Sequence, residues 1–371
     1  MIRTALALPP APCDLGLLGR SRFFARAAAE VDLELKVPPE SERVRHRFED
    51  SARDVALPVT FTPFASSRPC TARCVFCSET LVHEEARRLS ASLRPGPRYF
   101  EGLARALRAL EGLPLGLSLS GLEATDDADW LLGVLALLSA HAARSPVTER
   151  VLYSNGSGLA LETTGARLLP RLRDFALDRV ELSRHHPGQA ENDAIMRFRP
   201  GVAVRERRVF EATVREALGF VPVRLVCVLQ RGGVQDLAGC REYLRWARAL
   251  GVRDVVFREL SRLPDSYRPN RSFRVIRDGR VALEDLLDEL WPEGGLSPGF
   301  APRALTAGYY YWNLRLSFGD VEVTFETSDY REMKSRHGSG VVHKLVFHAN
   351  GNLCADWDPD REVLLRTLEP S

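Results

Sequence analysis

The stretch Cys70-Thr71-Ala72-Arg73-Cys74-Val75-Phe76-Cys77 follows directly on residues 58–64, the first of six short apolar runs that read as β-strands. The other five are residues 115–120, 150–154, 179–183, 221–229 and 252–259. Helical patterns lie between them at 100–110, 128–140, 161–175, 202–218 and 234–250. In the last, Leu237, Cys240, Leu244 and Ala247 recur on one face. Six strand-then-helix units in a row imply an α/β fold with a parallel sheet. Six units are too few for a closed eight-stranded barrel. The expectation is a partial (β/α)6 TIM-like barrel over residues 57–260, with the cysteine cluster in the loop after its first strand.

Residues 1–56 read as an N-terminal extension, with a helical pattern at 21–31 and a charged stretch at 40–54 that has little core signal. Residues 261–371 change in texture. Pro264, Pro269, Pro292 and Pro298 break the chain, a helical pattern covers 281–291, and strand patterns cover 309–317, 320–327, 342–347 and 353–357. Asn350-Gly351 suits the positive φ values of a type I′ hairpin turn. This C-terminal α+β extension is expected to cap the lateral opening of the barrel and to supply substrate contacts.

Composition narrows the function classes. The 371 residues carry 51 basic and 49 acidic side chains, a balance that predicts neither a nucleic-acid nor a membrane partner. Only Lys36, Lys334 and Lys344 are lysine, against 48 arginines, a bias read as genome composition. No run approaches the roughly 18–20 apolar residues that span a bilayer. Residues 1–12 lack a signal-peptide cleavage pattern. A cytoplasmic location is expected.

The seven cysteines are Cys13, Cys70, Cys74, Cys77, Cys227, Cys240 and Cys354. An odd count with three packed into eight residues is a poor disulfide framework and reads first as a metal site. Three thiolates on one loop can hold three irons of a [4Fe–4S] cube and leave the fourth iron open. Such an open position marks a catalytic centre rather than a structural one. A zinc site using the same three thiolates and a distant fourth ligand remains the alternative at this point.

The C-x3-C-x2-C spacing, with Phe76 just before the last cysteine and the loop following strand one, resembles the radical S-adenosylmethionine (radical SAM) superfamily. Four further segments carry the resemblance. Ser120-Gly121-Leu122-Glu123-Ala124-Thr125 ends strand two, where the family has a Gly-Gly-Glu-Pro-like motif; Ser120, Leu122 and Ala124 depart from it. Tyr153-Ser154-Asn155-Gly156 closes strand three and is similar to the Thr-Asn-Gly of the subfamily of the molybdenum-cofactor GTP cyclase. Glu181-Leu182-Ser183-Arg184-His185-His186 closes strand four. Strand five with its Gly-Gly turn, and Phe257-Arg258-Glu259-Leu260, look like that same subfamily, although Val226 stands where Asn is frequent.

The resemblance implies one [4Fe–4S] cluster on Cys70, Cys74 and Cys77, with SAM as cosubstrate. It implies Gly121 and Glu123 at the SAM ammonium, Ser183 at the ribose, Phe76 near the adenine, and Ser154 and Asn155 in the SAM site. Arg197 is a candidate for the SAM carboxylate, because a guanidinium can grip it bidentately. His185 and His186 are candidate substrate contacts, of which at most one can face the cavity if both lie on a strand. Arg258, Glu259, Tyr310, Trp312, His343 and His348 complete the candidate substrate set. Cys227 and Cys354 are candidate hydrogen donors, and Cys240 a buried hydrophobe.

The implied activity is reductive cleavage of SAM to a 5′-deoxyadenosyl radical that abstracts hydrogen from a peptide or natural-product substrate. The implied electron donor is a flavodoxin or ferredoxin-type protein. Rearrangement of a nucleotide or sugar is the alternative within this class of oxidoreductase chemistry. A zinc-stabilised, non-catalytic binding protein is the alternative outside it.

Overall fold

A computed structural model describes residues 17–24, 34–36, 43–49, 51–64, 66–81, 93–292, 295–337 and 339–368. The helical pattern at 21–31 falls largely outside these residues, as does Cys13.

Fourteen strands among the described residues form one sheet. In chain order they are β1 (Glu34–Lys36), β2 (Arg43–Phe48), β3 (Ser51–Pro63), β4 (Leu115–Leu119), β5 (Val147–Ser154), β6 (Arg179–Ser183) and β7 (Val223–Leu229). They continue with β8 (Asp254–Glu259), β9 (Phe300–Ala307), β10 (Trp312–Phe318), β11 (Val321–Glu326), β12 (Val341–Phe347), β13 (Asn352–Cys354) and β14 (Val363–Arg366). Strands β3 to β8 are the six expected ones. Each pairs in parallel with the next, separated in the chain by helices that include Tyr99–Ala109, Ala128–Ala142, Glu162–Asp174, Arg207–Leu218 and Leu237–Ala249. The fold is thus a mixed α/β structure with a partial, TIM-like parallel barrel.

Alternation along each strand divides the residues between two environments. One set is apolar and enters the large core: Leu115, Leu117 and Leu119 on β4, Leu225, Cys227 and Leu229 on β7, Val255 and Phe257 on β8. The alternate set lines a polar cavity and includes Gly116 and Ser118, Glu149 and Tyr153, Arg179 and Glu181, Arg224, and Arg258. No helix among the described residues is long and apolar enough to cross a membrane.

The segment after residue 260 continues the barrel sheet from both of its edges. On one side β11 pairs in parallel with β8, and β10 and β9 follow antiparallel. On the other, β12 pairs in parallel with β3, and β13 and β14 follow antiparallel. Hydrogen-bonded ladders therefore join this segment to the barrel at both ends.

Three expectations change. The charged stretch 40–54 holds a strand: β2 pairs antiparallel with the first half of β3, Arg43 opposite Ala56 through Phe48 opposite Ser51. Its charges are mostly exposed, as suits a peripheral strand. The strand pattern at 309–317 begins later, at Trp312, and β9 precedes it. The Asn350-Gly351 turn is not type I′, because only Gly351 takes a positive φ, 82°. The Gly351 amide donates to the His348 carbonyl and the His348 amide to the Asn352 carbonyl. That pattern is a three-residue hairpin loop ending in a left-handed glycine.

The junction of barrel and C-terminal strands can be tested at Phe325. Its ring is fully buried and stacks on Phe257 of β8, with centroids 5.3 Å apart. Phe325→Ala is expected to cost about 3–5 kcal/mol and to lower the single unfolding transition of the whole chain. A separate, earlier melting of the C-terminal region would contradict a shared core.

Candidate active site

The cysteine loop leaves β3 under firm control. The Phe64 carbonyl accepts from the Tyr99 hydroxyl at 3.0 Å and from the Trp130 indole N–H at 3.1 Å. The loop then runs beside the C-terminal end of helix Gln189–Met196. The Arg73 amide donates to Met196 and Arg197 carbonyls, the Val75 amide to Ile195, and the Arg199 amide to Thr71. Carbonyls in the last turn of a helix lack intrahelical partners; here the cysteine loop supplies them.

Cys70, Cys74 and Cys77 are all partly exposed. The Cys70 sulfur accepts from the Ala72 amide at 3.4 Å and the Asn155 side-chain amide at 3.6 Å. Burial, with the Glu123 carboxylate adding to it, pushes the Cys70 thiol up to about 12. Burial and then Glu79 push Cys77 up to about 11. Burial and the neighbouring Cys77 and Cys70 raise Cys74. Thiols that raise one another suit a cationic occupant that displaces their protons. No three His, Cys, Asp or Glu side chains among the described residues converge on a single metal ion. A four-iron cube asks for a different arrangement, one thiolate per iron, and this donor set has the chemistry for it.

Beneath the loop lies a buried carboxylate knot. Glu123 is 1% exposed. Its Oε1 accepts from the Thr125 amide (3.0 Å), the Thr125 hydroxyl (2.6 Å) and the Ser154 hydroxyl (2.7 Å), and its Oε2 from the Asn155 amide (2.6 Å). Four donors match the roughly four acceptor positions of a carboxylate. In this arrangement the carboxylate joins the ends of β4 and β5, with three donors on Oε1 and one on Oε2. Ser154 is likewise engaged, accepting from the Gly156 amide while donating to Glu123. Asn155 carries the knot onward to Cys70 and, at 3.2 Å, to the Thr71 hydroxyl. Leu122 takes a left-handed φ of 55° beside Gly121 at 89°, so the departure from glycine is accommodated by a strained backbone. Gly158 closes the knot from the other side, where an added Cβ would lie 1.8 Å from the Thr125 carbonyl oxygen.

The cavity beside the loop has a volume of about 990 Å³. Its floor is a charge network. Glu181 meets Arg179 at 2.9 Å, Arg224 at 3.3 Å and Arg258 at 3.7 Å. Arg258 also pairs with Glu326 of β11, and Arg224 with Asp254 at 2.8 Å. Burial works to raise Glu181, but Arg258, Arg224 and Arg179 together hold it below the usual carboxylate range. Five of the eight tyrosines, Tyr153, Tyr309, Tyr310, Tyr311 and Tyr330, line the walls. His343 stacks on Tyr309 at 5.2 Å. Burial pushes its imidazole down to about 4.

Other expected site residues distribute unevenly. Arg258, Tyr310, His343 and Gly121 line the cavity. Ser183 shares the inward alternation of Glu181 and is partly exposed. Phe76 packs edge-on against His185, centroids 4.9 Å apart. The buried His185 accepts the Val228 amide on Nδ1 at 3.0 Å. His186 instead accepts the Gly188 amide on Nδ1 at 2.9 Å, a local turn contact. The Arg197 side chain is exposed and bonds back to Ala194, while its carbonyl serves the cysteine loop.

Several candidates do not line this cavity; Glu259 and Trp312 border a second one of about 470 Å³. Glu259 alternates away from Arg258, pairs with Arg280 and accepts the Leu283 amide, the first of helix Leu283–Leu290. Trp312 is core, stacked on Phe23. His348 is fully buried, its Nε2 3.2 Å from the Asp356 carbonyl. Cys227 enters the core beside Tyr243 and donates to the His185 carbonyl at 3.5 Å. Cys354 is sealed under the Pro359 carbonyl at 3.6 Å. Neither thiol reaches the cavity.

Two residues outside the expected set enter it. Lys344 is 9% exposed, with Nζ 3.6 Å from the centre of the Trp357 ring. Glu79, two residues after Cys77, also lines the cavity. A register jump between Val342 and Lys344, opposite Val55 and Thr60 of β3, lets the consecutive His343 and Lys344 both reach inward. The scarcity of lysine was the available signal.

No protein-family model and no curated protein matches the sequence. Solved structures do. Native anSMEcpe with bound AdoMet and Cp18Cys peptide is 14% identical, with 54% of this chain and 50% of that one covered at a TM-score of 0.41. SuiB from Streptococcus suis is 12% identical over 81% of this chain and 60% of its own, at 0.43. Coproporphyrinogen III oxidase (HemN) from Escherichia coli, a radical SAM enzyme, is 14% identical over 62% and 50%, at 0.40. This chain thus spans about half the length of the first and third. At these identities and TM-scores the likenesses carry no argument about activity.

The knot makes a testable distinction. Glu123→Gln replaces an all-acceptor group with one that points N–H at N–H, and is expected to destabilise the chain by about 1–3 kcal/mol, read as a lower urea midpoint. An unchanged midpoint would contradict a structural role for these four bonds.

Proposed function

We propose that this chain is a radical SAM enzyme that acts on a peptide or natural-product substrate. The observation that carries the reading is the cysteine loop itself. Three partly exposed thiols in C-x3-C-x2-C spacing stand at the C-terminal end of the first barrel strand, beside a cavity of about 990 Å³. Active sites of parallel barrels form at that end.

Cys70, Cys74 and Cys77 would hold a [4Fe–4S] cluster, with SAM at the open iron. When bound and reduced by one electron from a flavodoxin or ferredoxin-type donor, the cluster supplies cleavage of SAM to methionine and a 5′-deoxyadenosyl radical, which abstracts hydrogen from the substrate. The chain's own part is placement and exclusion. Asn155 directs an N–H at the Cys70 sulfur, a bond that favours the thiolate. Phe76, braced edge-on by His185, offers an aromatic face next to the loop. Burial, with Arg258 and Arg184, pushes His185 down to about 3, so the ring stays neutral and takes the Val228 amide. Ser183, Gly121 and Glu123 are the candidates for SAM contacts from the strand ends. The tyrosine wall and the strands flanking β3 and β8 enclose part of the cavity, where a reactive radical needs shelter from water.

The reading is tested by turnover. Anaerobic protein with dithionite and SAM is expected to release 5′-deoxyadenosine and methionine. The variant with Cys70, Cys74 and Cys77 all changed to Ala is expected to lose both products and the iron–sulfur absorbance. Release of 5′-deoxyadenosine by the triple variant at the parental rate would overturn the assignment.

A further inference from the structure

Most charges in the cavity are paired; Lys344 and Glu79, both near the cysteine loop, are among those that are not. Arg179, Arg224 and Arg258 neutralise Glu181, Glu326, Glu149 and Asp254 across the floor. Lys344, on β12 at the edge nearest the cysteine loop, forms no hydrogen bond or ion pair with a described residue. Its resting partner is the Trp357 ring, which attracts the ammonium but accepts none of its three N–H bonds. Glu79 lies within electrostatic range of Lys344 but beyond ion-pair distance. The chain uses arginine for 48 of its 51 cationic side chains and lysine here. Lys344 lines the cavity with an ammonium that no described residue accepts from, so its N–H bonds are available to an acceptor that arrives from outside.

We propose that Lys344 is a specificity residue that binds a carboxylate of the substrate in this cavity. The inference rests on the cavity being the substrate chamber of the proposed enzyme, and it adds the substrate's chemical class: an organic anion with a single carboxylate beside an aromatic or apolar body. A carboxylate fits better than a phosphate. One point-charge donor suits one negative charge, whereas phosphate sites recruit several donors or a bidentate guanidinium, and Glu79 would repel the two charges of a dianion about twice as strongly as the single charge of a carboxylate. The aromatic walls of Trp357, Tyr309 and Tyr310 suit the body of such a ligand. The anchor also fixes direction. Lys344 stands opposite Thr60 of β3, the strand that feeds the cysteine loop, so the bound carboxylate marks the β3 side and the remainder extends toward the tyrosines. Burial pushes the Lys344 ammonium down to about 7, with Glu79 working the other way, and a bound carboxylate would favour the ammonium over the free amine.

With only three lysines, each can be followed separately by mass spectrometry. Reductive methylation of the anaerobically purified, cluster-containing protein is run with formaldehyde and cyanoborohydride. The probe is phenylacetate, and the control is the neutral, isosteric phenylacetamide. Phenylacetate is expected to slow methylation of Lys344 about fivefold once free probe stands at about four times its Kd, and to leave the exposed Lys334 unchanged. Phenylacetamide is expected to have no effect on either. Absence of protection by phenylacetate, or equal protection by phenylacetamide, overturns the proposal. Equal protection by inorganic phosphate overturns the choice of carboxylate. Protection by SAM alone overturns the assignment to substrate and gives the anchor to the cofactor. The measurement needs no turnover, so its failure is distinct from failure to cleave SAM.

Discussion

The Glu123 carboxylate is the constraint on which the site depends. A buried carboxylate is expensive unless its acceptor positions are filled, and this one is filled by Thr125, Ser154 and Asn155. Satisfying it forces the ends of β4 and β5 together. Asn155 is thereby fixed so that its side-chain amide reaches Cys70 and Thr71. Burial raises Glu123 to about 7, with Asp126 adding to it and the donors opposing. The cysteine loop is held from below by this knot and from the side by the end of helix Gln189–Met196. Neither support comes from residues within the loop.

The cavity shows a second balance. Its floor carries enough opposing charge to be internally satisfied. Arg258 and Glu326 also tie barrel strand β8 to β11 of the C-terminal region. The C-terminal region is thus bound to the barrel by a ladder of hydrogen bonds, a stacked aromatic pair and an ion pair at one edge. At the other edge it contributes His343 and Lys344 to the chamber. Charge is neutralised at the floor, and a lysine ammonium without a protein acceptor stands at the wall near the cysteines.

The parallel strands were legible as short segments with apolar residues at least at every second position, set between helical patterns; the bounds of β6, at 179–183, agree fully. The cysteine loop was legible because its spacing is local. What escaped was set by tertiary context. β2 is a charged strand paired mainly through its backbone, and β9 carries Pro302 and Arg303, so neither shows an apolar pattern. The role of Glu123 depends on partners about thirty residues away. Cys227, Glu259 and Trp312 lie on the expected strands or beside them and face away from the large cavity, because alternation gives a period and only packing gives its phase. Polar residues at every second position of apolar strands, such as Arg179 and Glu181, could have revealed the charged floor.

The central claim is that Cys70, Cys74 and Cys77 hold a four-iron cluster rather than a single metal ion. The most direct test is the iron, acid-labile sulfide and zinc content of the anaerobically purified chain. The account predicts a brown protein with about four irons and about four sulfides per chain and negligible zinc. A colourless protein with about one zinc per chain and no sulfide would contradict it.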